Sequence, residues 1–168
     1  MKIIEIGFSR NKHNLIGSNL IMKYLGADYS HCYIKKTIFM DYNVVYHSTF
    51  KSGVNFLSQR NFEKDNIEVK TYRLLISDQD YERVMKGIIN SCGKQYGFMQ
   101  NVGIVIVDVF RKVFKVNINN PFTKHYNCSE LIYKLIITKL YPQISKRYNP
   151  NTVTPLDIDN ILAEVTKV

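Results

Sequence analysis

The sequence predicts an α+β fold in which a mainly antiparallel sheet packs against helices. Segments in the first half alternate apolar and polar residues with the period of two that half-buried strands need. Later segments carry the 3.6-residue spacing of amphipathic helices, and turn or cap residues punctuate both kinds. The order is strand, helix, a block of strands and then helices, not the regular alternation that builds a parallel sheet. A length of 168 residues fits one domain spanning 1–168 and is enough to bury a real core.

Residues 2–8 (KIIEIGF) read as the first strand. Asn14 can cap a helix from about Leu15 to Tyr24, which Gly26 stops. From Ser30 to Ser48 the pattern is β: HCYIKKTIF, a turn at Met40-Asp41-Tyr42-Asn43, then VVYHS. A strand follows near Gly53 to Phe56, and IEVKTYRLL (67–75) alternates well enough to be another. Asp78 then caps a helix to about Ser91, ended near Gly93, and residues 99–115 have the spacing of a further helix. A well-marked helix runs from Asn127 to about Tyr141, where Pro142 breaks it. Thr154-Pro155 starts a last short one, with proline at the first helical position.

Composition excludes several classes. With 45% hydrophobic and 22% charged residues the chain is not disordered; 12 Tyr and 9 Phe supply bulk in the absence of Trp. The formal charge of +9 allows attraction to anionic partners. The basic residues are scattered, however, and no basic run is interleaved with aromatics, so no nucleic-acid motif emerges. A solvated basic surface and an anion-binding face both remain open. The N-terminal MKIIEIGFSR is too short and polar for a signal peptide, and no apolar run approaches the ~18 residues of a membrane span. A cytoplasmic protein is the expectation. Cys32, Cys92 and Cys128 lie 60 and 36 residues apart, which excludes CxxC zinc spacing and argues against a disulfide framework. No HExxH or aspartate cluster suggests a metal, and no cofactor is expected.

The chemistry concentrates in Tyr126-Asn127-Cys128-Ser129-Glu130-Leu131-Ile132. Asn127 and Glu130 have the spacing of a capping box, with Asn in place of Ser or Thr, so Cys128 falls at the first helical position. A thiol there feels the positive end of the helix dipole, which favours thiolate, and the unpaired N–H groups can stabilise an oxyanion. A core cysteine that happens to open a helix has the same local sequence. His31, at the start of a strand, can supply the imidazole that a thiolate nucleophile needs, and His47 in VVYHS can orient that imidazole. Cys32 neighbours His31, so its side chain points to the opposite face and reads as a core thiol. Cys92 reads as packing, and His125 as a loop residue that could border the site.

Taken together, Ser30-His31, His47 and Asn127-Cys128 resemble the circularly permuted branch of the NlpC-type papain-like cysteine hydrolases, whose relatives include lecithin retinol acyltransferase. In that branch a Ser-His strand start comes first, a polar residue on the next strand second, and an Asn-Cys or Asp-Cys helix start late. Gly53-Val54, Lys94-Gln95-Tyr96-Gly97 and Thr154-Pro155 with Asp157 are supporting matches. The resemblance runs from about residue 4 to residue 162, and its specificity lies in the order and spacing of short motifs. It implies a permuted papain-like fold with Cys128 as nucleophile, His31 as base and His47 as third residue. Many hydrolase members carry Glu at the third position, whereas the acyltransferase relatives carry His, as here. The sixteen-residue interval from His31 to His47 is also long for the family's hairpin. A turn centred near Tyr42 would set His31 opposite about Gly53 and leave His47 out of reach, unless the hairpin is bulged or turns earlier. Ser48, Thr49 or a backbone carbonyl would then hold His31.

The resemblance implies a thiol hydrolase acting on an amide, whether peptide, isopeptide or cell-wall, through a Cys128 thioester. Acyl transfer or lipid ester hydrolysis on the same fold is the alternative that His47 suggests. A silent binding module with a basic surface is the alternative outside catalysis. The implied partner is a peptide-, isopeptide- or acyl-bearing substrate.

Overall fold

A computed structural model describes residues 1–13, 15–39, 42–49, 52–94, 115 and 127–166. The architecture is α+β, as expected: a five-stranded antiparallel sheet, ordered β4-β3-β2-β1-β5, packs against helices. Strand β1 (Lys2–Asn11) lies inside the sheet, bonded to β2 (His31–Phe39) on one side and β5 (Asn66–Ile76) on the other. Its even residues Ile4, Ile6 and Phe8 are buried in the main core, as period-two alternation requires. Gly7 points the other way. The Tyr33 ring lies over it so closely that a Cβ there would sit 2.2 Å from a ring carbon.

Helix α1 (Ile16–Leu25) ends as expected at Gly26, whose φ of 63° is left-handed. The expected cap, Asn14, lies outside the described residues; Leu15 holds the N-cap position without a side-chain cap bond. None of the helix's residues is buried, and Ile16 is 80% exposed.

The β2–β3 hairpin corrects the expected turn. Tyr42 and Asn43 are not turn residues but open β3 (Tyr42–Thr49), pairing with Phe39 and Thr37 across a register irregularity. Side-chain bonds hold Asn43 in the strand: Thr37 Oγ1 donates to its Oδ1 at 2.6 Å and its Nδ2 donates to Gln59 at 2.7 Å. The other half of the expected turn, Met40-Asp41, lies outside the described residues. Strand β4 (Gly53–Ser58) continues the meander. It leads into a short helix α2 (Gln59–Asp65), which the sequence pattern did not reveal. Ser58 caps α2 by accepting from Asn61 N, and the only apolar residue of the helix, Phe62, is 2% exposed against Tyr33 and Val45.

Helix α3 (Asp78–Ser91) has Ser77, not Asp78, as its N-cap. Ser77 is extended and its Oγ accepts from Asp80 N at 3.0 Å, leaving Asp78 in the first turn. After it, Gly93 and Lys94 bond to the backbone of Val54 in β4. The helix expected over 99–115 lies outside the described residues, apart from Lys115.

Helix α4 opens as Cys128–Ile132, passes through a π-helical stretch Tyr133–Ile137 and finishes as Thr138–Leu140. Pro142 ends it as expected and starts α5 (Pro142–Ser145). Helix α6 (Pro155–Val165) has the full capping box of Thr154 and Asp157, with Pro155 at the first position. The main core forms where α3, α4 and α6 bury Ile88, Leu131, Ile132, Ile136, Ile158 and Ile161 against one sheet face. The smaller cluster of Tyr33, Val45 and Phe62 occupies the other. Among the described residues no helix is long and apolar enough to cross a membrane.

Candidate active site

The site assembles where the start of α4 meets the start of β2 and the end of β3. Asn127 is extended, and its Oδ1 accepts from Glu130 N at 2.7 Å, the forward half of the expected capping box. The Glu130 carboxylate pairs with Lys134 Nζ one turn on. This cap fixes Cys128 at the first helical position, 4% exposed and packed in the main core. Leu131, Ile132, Leu135 and Ile136 carry the buried stripe downstream, as their spacing implied.

His31 opens β2, and its ring belongs to the other sheet face. It stacks near Tyr33 at 6.5 Å between centroids and lies 6.4 Å from Phe62. His47 joins the same group, edge-on to His31 at 5.6 Å and to Phe62 at 5.5 Å. The two imidazoles therefore meet. They do so because the hairpin turns two residues earlier than a turn at Tyr42 would have it, with Ile34 opposite Tyr46 and Lys35 opposite Val45. Thr49, one of the substitutes for His47, has its hydroxyl bonded to Ser52 Oγ at 2.7 Å.

Cys128 packs from the α4 side while His31 stands at the strand end, so the thiol reaches the imidazole around the end of β2. The Cys128 pKa is held well below the ordinary thiol range. A hydrogen bond from the Cys32 thiol lowers it most, burial opposes, and the charge and hydrogen-bonding capacity of His31 add to the lowering. His31 Nε2 is itself buried without a hydrogen bond of normal geometry among the described residues. His47 is 5% exposed. Burial first, and the like charge of His31 second, push its pKa down to about 3, so it is uncharged at neutral pH. Both of its ring nitrogens are buried without hydrogen bonds of normal geometry among the described residues, as is Asn55 Oδ1. Asn55 pairs with His47 across β3–β4 and lies near enough to favour its charged form slightly, while Asn55 Nδ2 donates to Ser52.

Of the expected residues, then, the structure brings His31 and His47 into ring contact and sets the Cys128 thiol within reach of His31. Cys92 is packing, its thiol donating to Ile88 O at 3.5 Å. His125 lies outside the described residues. The sequence reading missed Asn55, Phe62 and the contact of Cys32 with Cys128. Asn55 follows from the register of β3 and β4, which sets Thr49 opposite Gly53 and His47 opposite Asn55. Phe62 had a signal too, as a single apolar residue in QRNFEKD. Cys32 does point away from His31, but that face is the one where α4 begins, and nothing in the sequence says which face α4 covers. No protein-family model matches the chain, and no curated protein matches it in sequence.

Proposed function

We propose that the chain is a thiol hydrolase of the permuted papain-like, NlpC-like kind, cleaving an amide bond of a peptide, isopeptide or cell-wall substrate. The observation that supports it best is the low-pKa thiol of Cys128 at a capped helix start beside a pair of imidazoles. The Cys128 thiolate attacks the carbonyl carbon. The N–H groups of Cys128 and Ser129, which have no intrahelical acceptor, stabilise the oxyanion. His31, having taken the thiol proton, returns it to the leaving amine and then draws a proton from the water that hydrolyses the thioester. His47 is a positioning residue: uncharged and wedged against Phe62, it orients the His31 ring without meeting substrate. The net charge of +9 favours substrates or surfaces that carry negative charge, and the free thiols suit a reducing, cytosolic compartment.

The histidine at the third position favours a second reading, acyl transfer or lipid ester hydrolysis by the same Cys128 and His31. The burial of Cys128 favours a third, a binding module without turnover. Alkylation of the folded protein by iodoacetamide from pH 5 to pH 9, mapped by peptide mass spectrometry, separates them. The hydrolase and acyltransferase readings expect Cys128 to react below pH 7, with its titration moved upward in His31→Ala. A Cys128 that resists alkylation, or titrates like a free thiol, would mean a binding module. Release of the acyl group from a peptide amide or from a phospholipid ester then distinguishes the first two.

A further inference from the structure

Cys32 is unused by the mechanism above, yet its thiol donates a hydrogen bond to the Cys128 sulfur, which His31 also reaches. The pairing follows from the fold. Cys32 is the second residue of β2 and points into the main core, 1% exposed. Cys128 begins the helix that packs on that face, and the Ser129 hydroxyl also reaches Cys32. Cys32 and Cys128 are free thiols of one core cluster in hydrogen-bonding contact, so an oxidant can couple them, whereas the Cys92 thiol bonds to Ile88 O at the end of α3.

We propose that Cys32 is a resolving thiol, and that peroxide converts Cys128 and Cys32 into a reversible disulfide that withdraws Cys128 from reaction. In the first step the Cys128 sulfur attacks one peroxide oxygen. The O–O bond breaks, the other oxygen leaves as water after taking a proton, and Cys128 becomes a sulfenic acid. In the second, the Cys32 sulfur attacks the Cys128 sulfur, the S–O bond breaks, and the hydroxyl leaves as water with the Cys32 proton. Two thiols and one peroxide thus give one disulfide and two waters. The two sulfurs are oxidised and the peroxide is reduced. Cys128 is 4% exposed, and a peroxide, little larger than water, is the oxidant suited to so buried a thiol. Cys32 also protects: without it, a sulfenic acid at Cys128 proceeds to the irreversible sulfinic acid.

The test is to treat the reduced 168-residue chain with hydrogen peroxide, block residual thiols with N-ethylmaleimide and map the peptides by mass spectrometry. The expected product joins the Cys32 and Cys128 peptides, reverts with dithiothreitol and forms equally in Cys92→Ser. In Cys32→Ser, and in Cys32→Ala should the serine misfold, the irreversibly oxidised fraction of Cys128 should rise several-fold. Sulfinic acid at Cys128 of the wild-type chain without a cross-link would overturn the proposal. So would a Cys92–Cys128 link, or a Cys128 that peroxide leaves untouched. The proposal does not depend on amide hydrolysis. Cys128 that alkylates below pH 7 but forms no link leaves the hydrolase reading standing alone, and a link in a chain without turnover leaves the thiol pair standing alone.

Discussion

His47 couples the site to the pH dependence of folding. Above about pH 6.5 it is neutral in both the folded and unfolded chain and adds no pH dependence to stability. As the pH falls, the unfolded chain takes up a proton that folded His47 refuses until about pH 3. Stability is therefore lost through that window, by up to about 1.4 kcal/mol per pH unit for one proton. Urea unfolding at pH 7, 5.5 and 4.5 should show this decline, and His47→Asn should flatten it by the slope of one proton. An unchanged slope would mean that His47 is hydrated in the folded protein. Gly7 makes a second residue-scale point. Gly7→Ala drives a methyl group into the Tyr33 ring and should cost at least the roughly 1–3 kcal/mol of an overpacked core, with partial rescue by Tyr33→Leu in thermal melts.

At the scale of elements, what the sequence made legible was what local chemistry decides. The helix stop at Gly26, the helix start at Thr154-Pro155 and the helix start at Cys128 were readable because each depends on a few adjacent residues. The hairpin turn was misjudged because Asn43, a turn former by composition, is kept in β3 by Thr37 and Gln59, and Gln59 lies on the unrecognised α2. Ser77 took the cap from Asp78 by one position for a similar reason: both residues suit the role, and only backbone conformation chooses. The cap of α4 is testable. Asn127→Ala removes the acceptor for Glu130 N and should destabilise by about 0.5–2 kcal/mol, while Cys128→Ser leaves the midpoint of urea unfolding nearly unchanged. The reverse order would make Cys128 a packing residue first. In α3, Gly87 faces Leu135 Cδ2 and Lys139 Nζ at 2.9 and 3.0 Å from where a Cβ would stand. Both are ends of flexible side chains, so Gly87→Ala should gain most of the roughly 1 kcal/mol of helix propensity and, unlike Gly7→Ala, not lower the melting temperature.

The whole molecule is joined by a polar latch that no local pattern announced. Asp159 of α6 accepts from Tyr29 at 2.6 Å, from Tyr72 at 2.5 Å and from Lys70 at 2.7 Å, tying the last helix to β5 and to the approach of β2. Burial works against its charge, but the bonds from Lys70, Tyr29 and Tyr72 win and hold its pKa below the usual carboxylate range. Asp159→Ala should cost about 2 kcal/mol or more. Double-mutant cycles with Tyr29→Phe and Tyr72→Phe should reveal coupling, since all three groups share one carboxylate. Simple additivity in those cycles would mean that the hydroxyls bond water instead. The α+β class was legible because strand and helix periodicities separate along the chain. The latch and the Cys32–Cys128 contact were not, because both depend on how elements distant in sequence dock.

The order of elements along the chain has a consequence for synthesis. The five strands among the described residues lie within residues 2–76, whereas the helices that bury Leu131, Ile136, Ile158 and Ile161 come after residue 127. A ribosome extends the chain from its N-terminus, so the strands that carry His31 and His47 emerge long before Cys128. At about 5–20 residues per second, the stretch from Ser77 to Leu140 takes roughly 3–13 s to make. For that interval the apolar face formed by Ile4, Ile6 and Phe8 waits for α4, partly sheltered by α3. A chaperone that binds nascent apolar surface would find its window there, and it would close when Cys128 docks.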